Sequence, residues 1–302
     1  MSLIERALQK ARTTRPEAEL REVDPPVPIG TGAGPRTRPI AQTQPVPVLA
    51  EEFPRVASAP ELVISEQLLL EKGLLAEPEE ESQQRAEYRH IKYGLMAGLR
   101  EPDARRIILI TSALQGEGKS FSAAHLAMSL AVEPDHTVLL VDADIIRPNL
   151  TRTFGLSGRP GIMDAVADPT IDVQSLIVTT SIEGLSILPA GRTHENATEL
   201  FSSSHMHEVL EQLLAVPNRI VVIDSLPLLL TTEARALAPI AGQVIMVIRA
   251  ESTPQNAVQD AIALLGEQAN VKLLLNAVVR PKILGYMGGY GYGYNYNSGN
   301  SP

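Results

Sequence analysis

The stretch RIILITSALQGEGKSFSAAHLAMSLAV, residues 106–132, constrains the fold more than any other part of this chain. An apolar, isoleucine-rich run (106–112) leads straight into Ala113-x-x-x-x-Gly118-Lys119-Ser120, and a helical pattern (120–132) follows. This is the phosphate-cradling P-loop pattern with Ala in place of its first Gly, in the strand–loop–helix setting that the motif requires. Gly116 and Gly118 let the backbone turn its N–H groups inward at the positive end of the next helix, where phosphate is favoured. Lys119 is placed to reach the β- and γ-phosphates, and Ser120 to ligate Mg²⁺. The ATP site expected on this basis is Gln115, Gly116, Glu117, Gly118, Lys119, Ser120 and Phe121.

Five more short apolar runs follow the same rule: 137–143, 185–190, 219–225, 243–249 and 271–279. Helical stretches separate them, at 120–132, around 196–215, at 231–240 and at 254–268. Near-continuous apolar strands alternating with helices predict an α/β P-loop NTPase, its mostly parallel sheet covered by helices on both faces. In the last helical stretch, Thr253 reads as an N-cap, with Val258, Ala261, Ile262 and Leu265 on one face. Tyr88, Ile91, Leu95 and Leu99 make a further helical stripe ahead of the first strand.

In open parallel sheets, ligands bind at the carboxyl ends of the strands. Two such ends carry carboxylates. VDADIIRP offers Asp142 and Asp144, spaced by two and so expected on the same side, with Arg147 close by. IVVIDS offers Asp224. Carboxylates crowded beside a nucleotide repel one another unless a cation lies between them, which predicts Mg²⁺ held by Ser120, Asp142, Asp144 and Asp224. Asn276, at the end of the last strand, is placed to pair with the edge of an adenine, or is a turn residue.

Outside this core the composition changes. Residues 1–15 read as an amphipathic helix, with Leu3, Ile4, Ala7, Leu8 and Ala11 on one face. Residues 16–60 hold ten prolines and little periodicity, the mark of a disordered linker. Its GTGAG (30–34) has neither strand nor helix beside it. Residues 61–83 form a pre-domain segment, 84–284 the P-loop domain, and 285–302 a flexible tail holding five of the seven tyrosines. The formal net charge of −9 argues against a nucleic-acid grip. The absence of cysteine excludes disulfides, thiolate metal sites and iron–sulfur clusters. No signal-peptide core and no apolar run of ~20 residues is present, so a cytoplasmic chain is expected, with any membrane contact peripheral. On that expectation the sequon at Asn196 carries no weight.

Two acidic motifs behind a P-loop, with a tyrosine-rich C-terminus, resemble the bacterial tyrosine kinases (BY-kinases) of exopolysaccharide operons. MSLIERALQKA, EYRHIK, GLSGRPGIMD, LPAGRTHENATELF and DSLPLLLTTEARALA look like the branch associated with exosortase/PEP-CTERM loci. The resemblance implies a Mg-ATP tyrosine autokinase that phosphorylates its own C-terminal cluster between neighbours in a homo-oligomeric ring and so regulates polysaccharide synthesis and export. It implies an inner-membrane polysaccharide co-polymerase as activator and membrane tether, and a cognate phosphatase. Residue by residue, it assigns the catalytic roles to Lys119, Asp142, Asp144 and Asp224, with Asp142 the favoured base. Tyr286, Tyr290, Tyr292, Tyr294 and Tyr296 are the acceptors, and Glu87, Arg89 and Lys92 match the assembly motif. The sequence departs from the family at Ala86, Gln115, Ile146 and Leu226. The chain has no HRD or DFG sequence of the eukaryotic kinase fold. Two other readings stand beside the kinase. One is a MinD/ParA-like switch ATPase, although residues 112–117 lack that class's extra lysine. The other is a non-catalytic, nucleotide-gated scaffold whose tail only self-associates.

Overall fold

Alternation along the first strand, β1 (Ile107–Ser112), explains why the sheet is sandwiched. Ile107 and Leu109 face one apolar cluster, and Ile108 and Ile110 the other. All four are 0–1% exposed, and burying an Ile or Leu side chain fully contributes roughly 1.5–3 kcal/mol. Both faces must therefore be covered. The computed structural model describes residues 62–74, 78–101, 105–266 and 269–279. The expected N-terminal helix (1–15), the proline-rich linker (16–60) and the tyrosine-rich tail (285–302) lie outside them.

Seven strands form one sheet in the order β3-β4-β2-β5-β1-β6-β7. Besides β1 these are β2 (Thr137–Asp142), β3 (Val178–Thr179), β4 (Leu185–Leu188), β5 (Arg219–Asp224), β6 (Gln243–Arg249) and β7 (Val271–Asn276). All pairings are parallel except β3–β4. The two-residue β3 has no sequence signal of its own. It is held by β4 and by the segment before the first long helix, through Leu62 N–H to Thr179 O at 3.0 Å and Ser181 N–H to Leu62 O at 2.9 Å.

One face carries α1 (Glu66–Glu71), α2 (Pro78–Leu99), α3 (Lys119–Ala131) and the start of α4 (Asn149–Thr153). The other carries α5 (Ile162–Ala167), α6 (Ala197–Phe201), α7 (Ser204–Leu214), α8 (Glu233–Leu237) and α9 (Gln255–Leu265). Tyr88, Leu95 and Leu99 of α2 are buried, with Ile91 beside them, as the stripe predicts. Thr253 does not cap α9, which begins one residue later behind Pro254. Its hydroxyl is engaged elsewhere, as described below.

Candidate active site

The register brings the site together. Asp142 and Asp224 are direct partners at the ends of β2 and β5, and Ile110 of β1 pairs with Asp224. Two carboxylates thus lie side by side next to the strand that feeds the P-loop. The α3 helix begins at Lys119, behind Gly118 with φ +95°. A Cβ at Gly118 would also collide with the Asn276 amide, so glycine is required there for both conformation and space.

Lys119 is 6% exposed, and its Nζ donates to Asp144 Oδ2 at 2.6 Å. Asp144 Oδ1 accepts from Arg147 N–H at 2.9 Å. Asp142 is fully buried, and each of its oxygens accepts a hydrogen bond. Its Oδ2 accepts from Thr151 N–H and Thr151 Oγ1, both at 2.8 Å, and its Oδ1 accepts from Asp144 N–H at 3.2 Å. Thr151 Oγ1 in turn accepts from Ala190 N–H at 3.0 Å, tying β2 to the loop after β4. Burial pushes the Asp142 carboxyl up to about 6 against those hydrogen bonds.

Asp224 differs. It is 0% exposed, and neither carboxylate oxygen has a hydrogen-bond partner. Ser120 and Lys119 lie near enough to favour its charged form, but burial dominates and pushes it up to about 7. A buried carboxylate without donors is costly; a proton relieves that cost, and so does a bound cation. The donor set around it, Ser120 with Asp142 and Asp224, is all oxygen and therefore suits Mg²⁺. Among the described residues no three acidic or histidine groups form a complete metal cage. The expected set of Asp142, Asp144 and Asp224 therefore does not assemble as one ligand group, and Asp144 is paired with Lys119 instead.

A cleft of about 410 Å³ opens over the P-loop. Gln115, Gly116, Gly118, Lys119, Ser120 and Phe121 form its floor, Asp144, Arg147 and Asn149 one side, and Leu226, Pro227, Ile146 and Leu230 its outer rim. The rim is held in place because the chain after β5 zips onto the start of the loop, Leu228 N–H to Ser112 O at 2.8 Å and Thr111 Oγ1 to Leu226 O at 2.9 Å.

Several expected residues fall elsewhere. Asp142, the favoured base, does not line this cleft; the carboxylate that faces the cleft is Asp144. Glu117 and Asn276 brace the loop from beneath rather than line it. The Asn276 amide donates to Glu117 O at 2.9 Å, so the group expected at an adenine edge serves the loop backbone. Glu117 accepts from Leu114 N–H at 2.8 Å and from the Thr253 hydroxyl. Arg249 donates to Gly116 O at 3.2 Å. Thr253, Arg249 and Thr151 have no motif to announce them, because their partners lie far away in sequence. Of the assembly residues, Lys92 is engaged within the chain, with Glu133 at 2.6 Å and Ser129 O at 3.1 Å. It caps the C-terminal end of α3, where a cation is favoured. Glu87 accepts from Gln83 at 3.0 Å, and Arg89 is exposed.

Known proteins share this arrangement. The family model described as ParA, NUBPL iron-transfer P-loop NTPase, matches residues 103–224. A chain without cysteine has no thiolates for iron, so the match speaks for the nucleotide-binding fold. EpsB of Ralstonia nicotianae, named as a tyrosine-protein kinase, is 31% identical over 57% of this chain, which spans 22% of EpsB. CapB of Staphylococcus aureus, likewise named, is 30% identical over 59% of this chain and 76% of CapB. The kinase domain of Escherichia coli tyrosine kinase ETK superposes with a TM-score of 0.60 at 25% identity, covering 67% of this chain and 79% of that one. With its P-loop and paired strand-end aspartates, and with three quarters of CapB matched along its length, the chain belongs to the family of bacterial tyrosine-protein kinases.

Proposed function

We infer that this protein transfers the γ-phosphoryl group of ATP to tyrosine hydroxyls, and that Tyr286, Tyr290, Tyr292, Tyr294 and Tyr296 of a neighbouring copy are its acceptors. The observation that carries this reading is Asp224, a buried carboxylate without a hydrogen-bond donor beside the lysine of a P-loop. A bound cation and phosphate would complete such a site.

Phosphoryl transfer is mainly positioning and charge neutralisation. The loop amides behind Gly116 and Gly118 orient the phosphates, and Lys119 leaves Asp144 to meet the transferred group. Ser120, Asp142 and Asp224 would hold a Mg²⁺ ion, which would neutralise charge on the phosphates. The tyrosine oxygen attacks the γ-phosphorus, the bond to the β-bridging oxygen breaks, and ADP leaves. The phenolic proton passes to Asp144, the carboxylate open to the cleft and freed when Lys119 moves. Asp142 holds Thr151 and the loop around it in register.

The same reading supplies the surroundings. No helix among the described residues is long and apolar enough to cross a membrane. The family resemblance supports a cytoplasmic enzyme tethered at the inner membrane by a polysaccharide co-polymerase, assembled as a ring, reset by a phosphatase and controlling exopolysaccharide export. A mixing experiment tests the acceptor assignment. A copy carrying Lys119→Met and an intact tail is incubated with an active copy whose five tail tyrosines are Ala, in Mg-ATP. Phosphotyrosine on the Lys119→Met copy is expected; an unmodified tail in the mixture refutes transfer between copies.

A further inference from the structure

Beside the P-loop cleft lies a second hollow of about 310 Å³, and Ile146, Leu230 and Thr231 line both. Its remaining wall is Leu229, Thr232, Glu233 and Arg235. Ile146 and Leu230 are 58% and 59% exposed at the rim of the P-loop cleft. Leaving two large aliphatic side chains in water gains nothing for the fold. Ile146 is also where the family resemblance leads one to expect Arg. Both line the P-loop cleft together with Lys119 and Asp144.

Resting on the phosphotransfer reading above, we propose that Ile146 and Leu230 form an acceptor shelf on which the phenol rings of residues 286–296 dock. The occupant follows from the chain itself. Residues 285–302 contain five tyrosines and no charged side chain, so the rings can enter an apolar hollow without desolvating a charge. A tyrosine ring is apolar along its body and polar at its tip. Its body fits against Ile146 and Leu230 while its hydroxyl points toward Asp144 and Lys119. All five rings fall within eleven residues, 286–296, so several can be presented in turn to one shelf. The wall carries one Glu and one Arg, so it offers no net charge to attract acidic flanks. The specificity predicted is for tyrosines flanked by Gly and Asn over tyrosines flanked by Asp or Glu.

The test uses the full chain with its five tail tyrosines changed to Ala, and the synthetic peptide GYMGGYGYGYNYN as probe. Peptide binding is read by fluorescence anisotropy, and peptide phosphorylation by kcat and KM. The pair Ile146→Ser with Leu230→Ser is expected to weaken peptide binding and raise its KM about tenfold, with kcat within about twofold. Ile146→Leu is expected to restore both. Both positions are exposed, so the variants leave the core untouched. If the serine pair binds the peptide as tightly as the parent, the shelf is refuted whatever the turnover. If the parent binds the peptide and the serine pair does not, yet neither phosphorylates it, the shelf stands and the phosphotransfer reading falls.

Discussion

Asp142 and Asp224 meet across β2 and β5 with no exposed surface, and burial raises both above the ordinary carboxylate range, to about 6 and about 7. A carboxyl raised on folding binds its proton more tightly in the folded state. Its contribution to stability is therefore full below the unfolded value near 3.8 and is lost as pH rises through the folded one. The nucleotide-free protein should lose stability between about pH 4 and pH 7 from these two groups. Asp224→Asn removes one of them. In urea unfolding at pH 8 it should be more stable than the parent by about 1–4 kcal/mol, with a flatter pH profile, while phosphotransfer falls at least about 100-fold. An Asn variant no more stable than the parent at pH 8 would deny Asp224 its cost. Thr151 is the opposite case, because its single hydroxyl serves Asp142 and Ala190 at once. Thr151→Val keeps the shape and should cost about 1–3 kcal/mol in the same measurement.

At the scale of elements, α2 and α3 meet through rings. Tyr88 stacks on His125 with centroids 4.9 Å apart, and His125 lies 4.3 Å from Phe121, which floors the cleft. Burial lowers His125 to about 4 and raises Tyr88 to about 12. A histidine depressed on folding leaves stability full above its unfolded value near 6.5 and lost as pH falls through 4. The loss amounts to about 3 kcal/mol. It runs against the slope from the two aspartates, so the difference between the parent and His125→Leu isolates it. That difference should grow from pH 6.5 down to pH 4 and stay flat above; a difference independent of pH would contradict the buried neutral ring. The α2 stripe itself was legible, because Tyr88, Leu95 and Leu99 repeat with the helical period. What Lys92 does was not, since its partners Glu133 and Ser129 lie some forty residues on, and motif matching pointed it outward. Thr253 misled for a related reason. Serine and threonine before a helix are caps by default, but this hydroxyl is taken by Arg249 N–H at 3.0 Å and by Glu117.

Across the whole molecule, most of the strands, their parallel character and the loop chemistry were readable because their signals are local: short apolar runs, then a glycine loop or an aspartate. The environment of each aspartate was not local. Spacing grouped Asp142 with Asp144 and the family resemblance made Asp142 the base, whereas packing buried the first under Thr151 and turned the second toward the cleft. The two-residue β3 and the bridge to Leu62 were equally invisible, the bridge resting on pairing across more than a hundred residues. The central claim joins the cleft to the tyrosines of the tail, and tandem mass spectrometry of the full chain after incubation with Mg-ATP tests it most directly. Phosphate on tyrosines within 286–296, absent from Lys119→Met treated alike, is the predicted result; ATP consumed by the parent with every tail tyrosine unmodified would contradict it.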